Sequence, residues 1–417
     1  MLTKVPIEVF AKVGAGQGAP QMESDFSEEG IPFIRAGHLQ ELLNGKDEML
    51  LPKINKEIAA KYKLKLYPPG SVIFAKSGMS ATKGRIYKLK NPCYIVNHLA
   101  ILEINDKAYA DYILYSLRKF SPVKLINDPA YPSIGLETIK KYSIPFFERL
   151  EDQIRIANVL SQAEDLITKR KESIQLLDEL LKSTFLDMFG DPVRNEKGWE
   201  KQTLKDVCSK ITDGTHHSPP IVDEGIPYIT AKHVRPNKID FWANPWFVSK
   251  EMHDAIYKRC NPKKGDILYI KDGATTGISA INKYDFEFSM LSSLALLRPD
   301  KNVLLPEFLN AWLNNDMVKT GIISKMAGGA IKRLTLTKIN ALPILVPPIL
   351  LQTQFAQIVE KVENIKTKYQ ASLQELENLY ASLSQKAFKG ELDLSKMEIE
   401  HEKLDMAAEE GVGYGKM

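Results

Sequence analysis

The long amphipathic stretch from about Leu150 to Gly190 most constrains the fold. Leu160, Ile167 and Ile174 recur at heptad spacing, and no Gly or Pro interrupts the stretch before Gly190. This pattern predicts a helix with a coiled-coil seam, which would span roughly 55 Å at about 1.5 Å per residue. A single helix of that length cannot bury its seam alone and therefore needs a partner.

That partner is encoded in the same chain. The segment that begins at Gln153 aligns without gaps with the segment that begins at Gln352, and Phe189 then falls opposite Phe388. The long unbroken register favours an internal duplication over two unrelated amphipathic helices. Because the second helix must return along the first to bury its seam, we expect the pair to be antiparallel.

The duplication extends beyond the helices. Gly30-Ile-Pro-Phe-Ile matches Gly225-Ile-Pro-Tyr-Ile, and Gly70-Ser-Val-Ile-Phe matches Gly265-Asp-Ile-Leu-Tyr. The chain is therefore expected to contain two copies of one plan, a globular module followed by a long helix, related by an approximate two-fold axis. The predicted segments are module 1 (1–148), helix 1 (149–190), module 2 (191–348), helix 2 (349–390) and an acidic, partly disordered tail (391–417).

Within each module the local signals are mostly strands and turns. Short apolar runs that follow Gly- and Pro-containing turns predict strands, and two amphipathic runs predict short helices. The connections are short, so we expect an α+β fold with mainly antiparallel pairing. The predicted strands are Ile31–Ile34, Val72–Ala75, Tyr94–Ile104, Ile226–Ile229, Ile267–Ile270 and Ser289–Leu297, and the predicted short helices are Ala110–Lys119 and Pro306–Asn315.

Composition excludes some classes of function and permits others. The net charge is +4, which allows nucleic-acid binding through a local basic face without arguing for it. The three cysteines form no Cys-x-x-Cys pair, so neither a disulfide framework nor a zinc site is predicted, and a reducing cytoplasm fits. No signal peptide or bilayer-spanning segment is predicted.

Three motifs resemble functional sites but have simpler interpretations. Gly14-Ala-Gly-Gln-Gly18 resembles a nucleotide-binding loop, but no helical periodicity follows it, which favours a turn. Asn91-Pro-Cys-Tyr94 is one residue from the Asn-Pro-Pro-Tyr tetrapeptide of amino-methyltransferases, but it has no counterpart in the second copy and favours a loop entering a strand. The adjacent His216 and His217 lack further ligands at metal-site spacing, so no metal or catalytic residue is predicted.

Polar and basic residues cluster in turns at matched places of the two copies. Such side chains suit contacts to phosphates and to base edges. Any one of them is more often a solvated loop residue, and it is the matched placement that favours binding. The residues at matched positions differ, as in Arg35 and Thr230, which indicates modules that read different targets. The predicted DNA-binding residues are Arg35, His38, Lys76, Ser80, Thr82, Lys83, Arg85, His98, His216, His217, Thr230, Lys232, His233, Lys271, Thr275, Thr276, Lys325, Lys332 and Arg333.

Several segments are similar to those of one known family. They are the module opening at Asp213-Gly-Thr-His-His-Ser-Pro-Pro, the segment Ala327-Gly-Gly-Ala-Ile-Lys, and the helix segment Gln385-Lys-Ala-Phe-Lys-Gly-Glu-Leu. With the order module–helix–module–helix, they make the chain resemble the specificity subunit of type I restriction-modification enzymes up to about Gly390. Copy one departs from the pattern, because Pro129-Ala-Tyr-Pro-Ser replaces the Gly-Gly segment.

The resemblance implies that each module is a target recognition domain reading one half of a split, asymmetric sequence in double-stranded DNA. The helices would set the gap between the halves and dock two modification (methyltransferase) subunits, which restriction/translocase subunits join. S-adenosylmethionine, ATP and Mg²⁺ would then act in those partners, and this chain would hold no cofactor. Two other functions stay open: a self-contained DNA methyltransferase that uses Asn91-Pro-Cys-Tyr94, and a coiled-coil adaptor without DNA binding.

Overall fold

The computed structural model describes residues 2–324 and 333–397. Of these, residues 2–169 with 373–397 form one compact unit (unit 1), and residues 170–324 with 333–372 form a second (unit 2). The predicted domain boundaries near the ends of the long helices stay a prediction. The predicted tail lies outside the described residues from position 398 on.

Unit 1 is built around two four-stranded sheets. One has the strand order β2-β9-β6-β7 and the other β4-β3-β8-β5, while β1 pairs with β10. All pairs are antiparallel except β3 with β8. The strands are β1 (Leu2–Pro6), β2 (Ala11–Ala15), β3 (Ile31–Ile34), β4 (Lys53–Ile54), β5 (Leu66–Tyr67), β6 (Val72–Ala75), β7 (Ile86–Lys88), β8 (Cys93–Ile95), β9 (Leu99–Ile104) and β10 (Ser143–Phe147).

Helices cover one face of the first sheet and close a core. Tyr112 and Phe146 are buried in this core together with Ile156 and Phe388, which belong to the two long helices. A second core lies around the β4-β3-β8-β5 sheet. The helices of this part are α1 (Ile7–Phe10), α2 (Leu39–Leu43), α3 (Lys56–Lys61), α4 (Ala110–Lys119), α5 (Leu136–Lys141) and α6 (Leu150–Phe189), which continues into unit 2.

Unit 2 repeats this plan. Its four-stranded sheet has the order β12-β20-β17-β18, and β13 again forms the parallel pair, here with β19. The strands are β11 (Glu200–Thr203), β12 (Cys208–Asp213), β13 (Ile226–Ile229), β14 (Val234–Arg235), β15 (Lys238–Ile239), β16 (Phe247–Val248), β17 (Ile267–Ile270), β18 (Ser279–Ile281), β19 (Ser289–Met290), β20 (Leu294–Pro299) and β21 (Pro343–Val346). The helices are α7 (Leu204–Val207), α8 (Lys250–Tyr257), α9 (Pro306–Asn314), α10 (Asp316–Ser324), α11 (Leu336–Asn340) and α12 (Ile349–Lys389), which continues into unit 1.

The two long helices pair as the heptad pattern predicts. They contain 40 and 41 residues. Within unit 2, Arg170 lies over the ring of Tyr369 at 4.4 Å, and Asp178 pairs with Lys366 at 2.6 Å. Numbers rise along α6 as they fall along α12, so the segments are antiparallel, as expected. None of the helices in the described part of the chain is long and apolar enough to cross a membrane.

A buried glutamine ties the start of each long helix to its unit. The Gln153 Oε1 accepts a hydrogen bond from the backbone N–H of Tyr109 at 2.8 Å, and its Nε2 donates to the Phe147 carbonyl at 2.7 Å. Gln352 makes the equivalent two bonds at 2.8 Å each. Both side chains are fully buried, so each helix leaves its unit at a fixed point.

Two of the predicted strand runs are divided in the structure. The run Tyr94–Ile104 forms the end of β8 and all of β9, separated by a tight turn in which the Leu99 N–H donates to the Val96 carbonyl at 3.0 Å. The run Ser289–Leu297 is divided in the same way between β19 and β20. These turns matter because they bring the polar residues between the strands to one edge of each unit.

Candidate nucleic-acid interface

A glycine opens the polar loops of each unit. Gly16 in unit 1 and Gly214 in unit 2 follow β2 and β12, and a Cβ at either position would overlap the backbone carbonyl of Ile95 or Met290. Only glycine permits this approach. The glycine-rich stretch after β2 is therefore the structural counterpart of the module opening in unit 2. Its glycine lets two backbone segments pass close to each other.

Three loop segments of unit 1 meet at Lys76. The Lys76 N–H donates to the His98 carbonyl at 2.9 Å, and its carbonyl accepts from the Ile134 N–H at 2.8 Å. The Ser77 hydroxyl lies 2.8 Å from His98 Nδ1. Two predicted DNA-binding residues, Lys76 and His98, are thus adjacent, because Lys76 follows β6 and His98 immediately precedes β9, its neighbour in the sheet.

The loop after β3 lies next to this meeting point. The Val96 N–H donates to the Ile34 carbonyl at 3.0 Å, and this bond fixes the start of the loop that carries Arg35. Arg35 is exposed and lies over the ring of Phe26 at 4.8 Å. The His38 Nδ1 accepts from the Arg35 N–H at 3.3 Å, and desolvation lowers the pKa of His38. Neutral imidazole is the form that can accept this bond.

The remaining predicted residues of unit 1 follow Gly78. Ser80, Thr82 and Lys83 lie in one short 3₁₀ turn, Met79–Lys83, and Arg85 lies just after it. The Thr82 hydroxyl donates to the Met79 carbonyl at 2.9 Å, so it stabilises the turn. Lys83 is exposed, whereas Ser80 and Arg85 are half-buried. Of this group, Lys83 is the freest to reach a phosphate.

Unit 2 repeats the backbone frame. The Lys271 N–H donates to the Ser293 carbonyl at 2.9 Å, and its carbonyl accepts from the Leu334 N–H at 2.9 Å. Lys271 and Lys76 therefore occupy the same place in their units. We call the unit 1 segments loop cluster 1 (16–18, 35–38, 76–85, 97–98 and 131–134) and their unit 2 counterparts loop cluster 2 (214–217, 230–233, 271–276, 292–293 and 333–334).

The side chains on this shared frame differ in charge. Lys271 is buried, and its Nζ lies 3.5 Å from Asp213 and 3.0 Å from Asp272. Arg259 also pairs with Asp213, and Arg333 lies 3.3 Å from Asp272. Loop cluster 2 therefore rests on an ion-pair network. The buried amine of Lys271 is held by its own unit, and its role as a DNA contact stays a prediction.

Both histidines of loop cluster 2 are exposed, whereas its two threonines differ in exposure. The His216 ring is exposed, but its Nε2 lies 3.5 Å from the Asp213 carboxylate. Thr275 is exposed, but Thr276 is buried and its hydroxyl donates to a backbone carbonyl at 2.7 Å. The side chains free to meet a ligand are thus His217 and Thr275.

The loop after β13 is a capped turn. The Thr230 N–H donates to His233 Nδ1 at 2.9 Å, and the His233 Nε2 lies 2.9 Å from the Asn244 carbonyl. This assigns the proton of neutral His233 to Nε2, and burial lowers the pKa of the imidazole. Lys232 is exposed and lies over the ring of Trp246 at 4.6 Å. Lys232 is therefore the outward-facing residue of this turn.

Two predicted contacts, Lys325 and Lys332, lie outside the described residues.

The tetrapeptide that begins at Asn91 is a loop entering β8. The Asn91 N–H and side-chain amide both donate to the buried carboxylate of Glu48, at 2.7 and 2.9 Å. Among residues 2–324 and 333–397, no group of three or more His, Cys, Asp or Glu side chains could hold a metal ion.

Comparison with known proteins identifies the family to which both units belong. Residues 5–177 and 196–378 each match the family described as "Type I restriction modification DNA specificity domain". The chain belongs to this family. The two matches correspond to the two copies of the repeat, so the resemblance drawn from the sequence and the predicted fold class are both confirmed.

Relatives in this family share the specificity-subunit name. The type I restriction enzyme MjaIX specificity subunit of Methanocaldococcus jannaschii is 22% identical over 368 residues, which cover 82% of each chain. The EcoBI specificity subunit of Escherichia coli is 29% identical over 149 residues, or 35% of this chain and 31% of that protein. The type I restriction-modification S subunit from M. genitalium has the same fold, with a TM-score of 0.57, 16% identity and coverage of 93% and 96%.

Residue types alone did not reveal two features of these specificity domains. Asp213, Asp272 and Arg259 come together from separate segments, and their pairing has no local sequence signal. Tyr131 is 82% exposed, in the segment that the sequence marks only as a departure from the family pattern. The sequence signal for this exposed side chain is a tyrosine between two prolines in a segment that departs from the family pattern.

Proposed function

We propose that this chain is a non-catalytic DNA-recognition subunit in which each unit reads one half of a bipartite, asymmetric target. One observation carries the proposal: loop clusters 1 and 2 share a backbone frame but differ in side chains. Such a frame presents matched loops to two stretches of duplex, while different side chains select different bases. The family membership of both units supports this interpretation.

Affinity and selectivity would come from different members of each loop cluster. Exposed cations such as Lys83 and Lys232 suit phosphate contacts, which supply salt-dependent affinity without sequence information. Arg35, His217 and Thr275 are exposed and carry groups that can bond to base edges. The capped turns and ion pairs beneath them hold the loops in place before DNA arrives, which lowers the entropy cost of binding.

The long helices would hold the two half-sites at a set spacing and dock two modification subunits. Support for docking comes from leucines on their outer faces, since Leu176 is 62% and Leu379 48% exposed. Methyl transfer with S-adenosylmethionine would then take place in the modification subunits. ATP- and Mg²⁺-dependent steps would belong to restriction/translocase subunits. The relatives are named specificity subunits, which supports this division of recognition and catalysis between different chains.

Module exchange tests the proposal directly. Residues 3–147 are replaced by the corresponding module of another family member, and methylated adenines are mapped across the genome of cells carrying the complete system. We expect only one half of the methylated sequence to change. Replacement of 201–346 should change only the other half, and a change in both halves from a single exchange would contradict the modular interpretation.

A second experiment tests the non-catalytic assignment. The purified chain alone is incubated with DNA and labelled S-adenosylmethionine, next to the chain assembled with its modification subunits. Label should pass to DNA only in the assembled sample. Transfer of label by the chain alone would favour the self-contained methyltransferase. If neither sample bound DNA at any salt concentration, the coiled-coil adaptor would be favoured.

A further inference from the structure

Two exposed apolar side chains stand out within loop cluster 1. Tyr131 is 82% exposed, the largest exposure of any large apolar or aromatic side chain in the described residues, and Met79 is 65% exposed. A backbone bond of 2.9 Å from the Gly78 N–H to the Pro132 carbonyl joins the residues next to them. Tyr131 and Met79 therefore project from adjoining segments at one edge of unit 1.

The backbone beneath Tyr131 is well fixed. Pro129 and Pro132 restrict φ on either side of the Ala-Tyr pair. The Ala130 N–H donates to the Asp128 carboxylate at 2.8 Å, which closes a tight turn before the tyrosine. A tyrosine held on such a support loses little conformational entropy when it makes a contact, because only two side-chain torsions remain to be ordered.

The neighbours of this pair are suited to a nucleic acid. Lys76 and His98 lie on the adjoining segments, and the hydroxyl of Ser77 is 2.8 Å from His98 Nδ1. Cationic and hydrogen-bonding groups are therefore next to the exposed tyrosine and methionine. An apolar pair this small falls far short of the roughly 800 Å² per partner of a stable protein interface, but it suits contact with one or two base edges.

We propose that Tyr131, with Met79 beside it, contacts base pairs of the half-site read by unit 1 and helps determine its sequence. This inference rests on the proposed DNA-reading function. It adds the residues that make apolar contacts to the bases of the first half-site. The ring and the thioether contact base edges such as a thymine methyl, while Lys76 holds the neighbouring phosphate. Ala274 occupies the place of Met79 in unit 2, so the two units differ in this contact.

The test uses the full chain assembled with its modification subunits. The methylated sequence of the wild type supplies a cognate duplex and a panel of duplexes, each with one base pair changed. Affinities are measured for the wild type, Tyr131→Ala and Met79→Ala. Val9→Ala is the matched control, because Val9 is 43% exposed in the same unit but lies before β2, at the opposite end of that strand from Gly16.

We expect Tyr131→Ala to weaken binding to the cognate duplex by about tenfold, the scale of one base contact. At one or two positions of the first half-site, the variant should tolerate changed base pairs that the wild type rejects. Penalties in the second half-site and binding of unrelated DNA should stay unchanged, as should all affinities of Val9→Ala. Equal first-half penalties in Tyr131→Ala and the wild type would overturn the inference.

Two further outcomes separate this inference from the function on which it rests. If the wild-type assembly itself shows no sequence preference, both the proposed function and the inference fail. If Tyr131→Ala instead weakens assembly with the modification subunits and leaves every base-pair penalty unchanged, the tyrosine belongs to a protein interface and the inference alone fails.

Discussion

The matched lysines Lys76 and Lys271 should respond in opposite ways to replacement by methionine. Methionine keeps most of the apolar stem and removes the charge in both cases. Lys271 is buried between Asp213 and Asp272, at 3.5 and 3.0 Å. The positions that match these aspartates in unit 1 are neutral, so Lys76 is free of that network. Lys271→Met should therefore cost stability, whereas Lys76→Met should cost DNA affinity.

The magnitudes follow from what each lysine contacts. Removing one member of a buried ion pair typically costs about 3–5 kcal/mol. Arg259 and Arg333 still pair with the two aspartates, so we expect the lower end, about 3 kcal/mol, or roughly 6–12 °C in the melting temperature of a unit of this size. Loss of one phosphate contact by Lys76→Met should reduce the slope of log affinity against log salt by about 0.9.

Two measurements separate the cases. Thermal denaturation with amide exchange resolved along the chain should show Lys271→Met loosening unit 2 while unit 1 keeps its protection. DNA titrations from low to high salt should show the shallower slope only for Lys76→Met. If Lys271→Met melts like the wild type and shares the shallower slope, its amine is available to DNA and the ion-pair argument is refuted.

Four further perturbations test other parts of the structure. Gln352→Leu removes the three hydrogen bonds made by this buried side chain at the start of α12 and should destabilise unit 2 by about 2–3 kcal/mol, seen as faster amide exchange there. Gly16→Ala should lower the melting temperature because its Cβ overlaps a backbone carbonyl, whereas Gly18→Ala, with open space around it, should not. Burial depresses the pKa of His233, so its contribution to stability is complete above about pH 6.5 and is lost as the pH falls towards the folded-state pKa; His233→Asn should flatten that part of the pH–stability curve. Deleting 167–173 with the matched heptad of α12 should shorten the gap in the methylated sequence by up to about three base pairs, since seven helical residues span about 10 Å, and an unchanged gap would contradict a spacer role.

Periodic and local signals explain what the sequence could predict. Helix α6 was expected from about Leu150 to Gly190 and runs Leu150–Phe189, because heptad spacing and the Gly-Asp-Pro stop are local features. Four predicted strands have the bounds expected, as with β6 and β17, because Gly and Pro turns delimit each apolar run. Family resemblance then supplied the function, which residue patterns alone left open among three classes.

The ion pairs and exposures of the loop clusters could not be predicted in this way. Lys76 and Lys271 look alike in the sequence, since each follows an apolar strand and precedes a short polar turn. Their difference depends on Asp213, which is far from Lys271 along the chain and meets it only through the pairing of β12 and β17 with β20. Contacts between distant segments carry no local periodicity, so they become visible only in the folded structure.

The same comparison predicts how readily each unit can acquire a new target. In unit 2, changing Lys271 leaves the buried Asp213 and the half-buried Asp272 with fewer cations, so a neutral replacement needs compensating changes at other positions. In unit 1 a neutral Ser77–Ser133 bridge occupies the place of the Asp272–Arg333 bridge, and nearby side chains can change one at a time. Loop cluster 1 should therefore tolerate single substitutions that alter readout, whereas loop cluster 2 should require coupled ones. Selection of randomised loop variants for altered methylation would test this, and equal recovery of single-substitution variants from both clusters would contradict it.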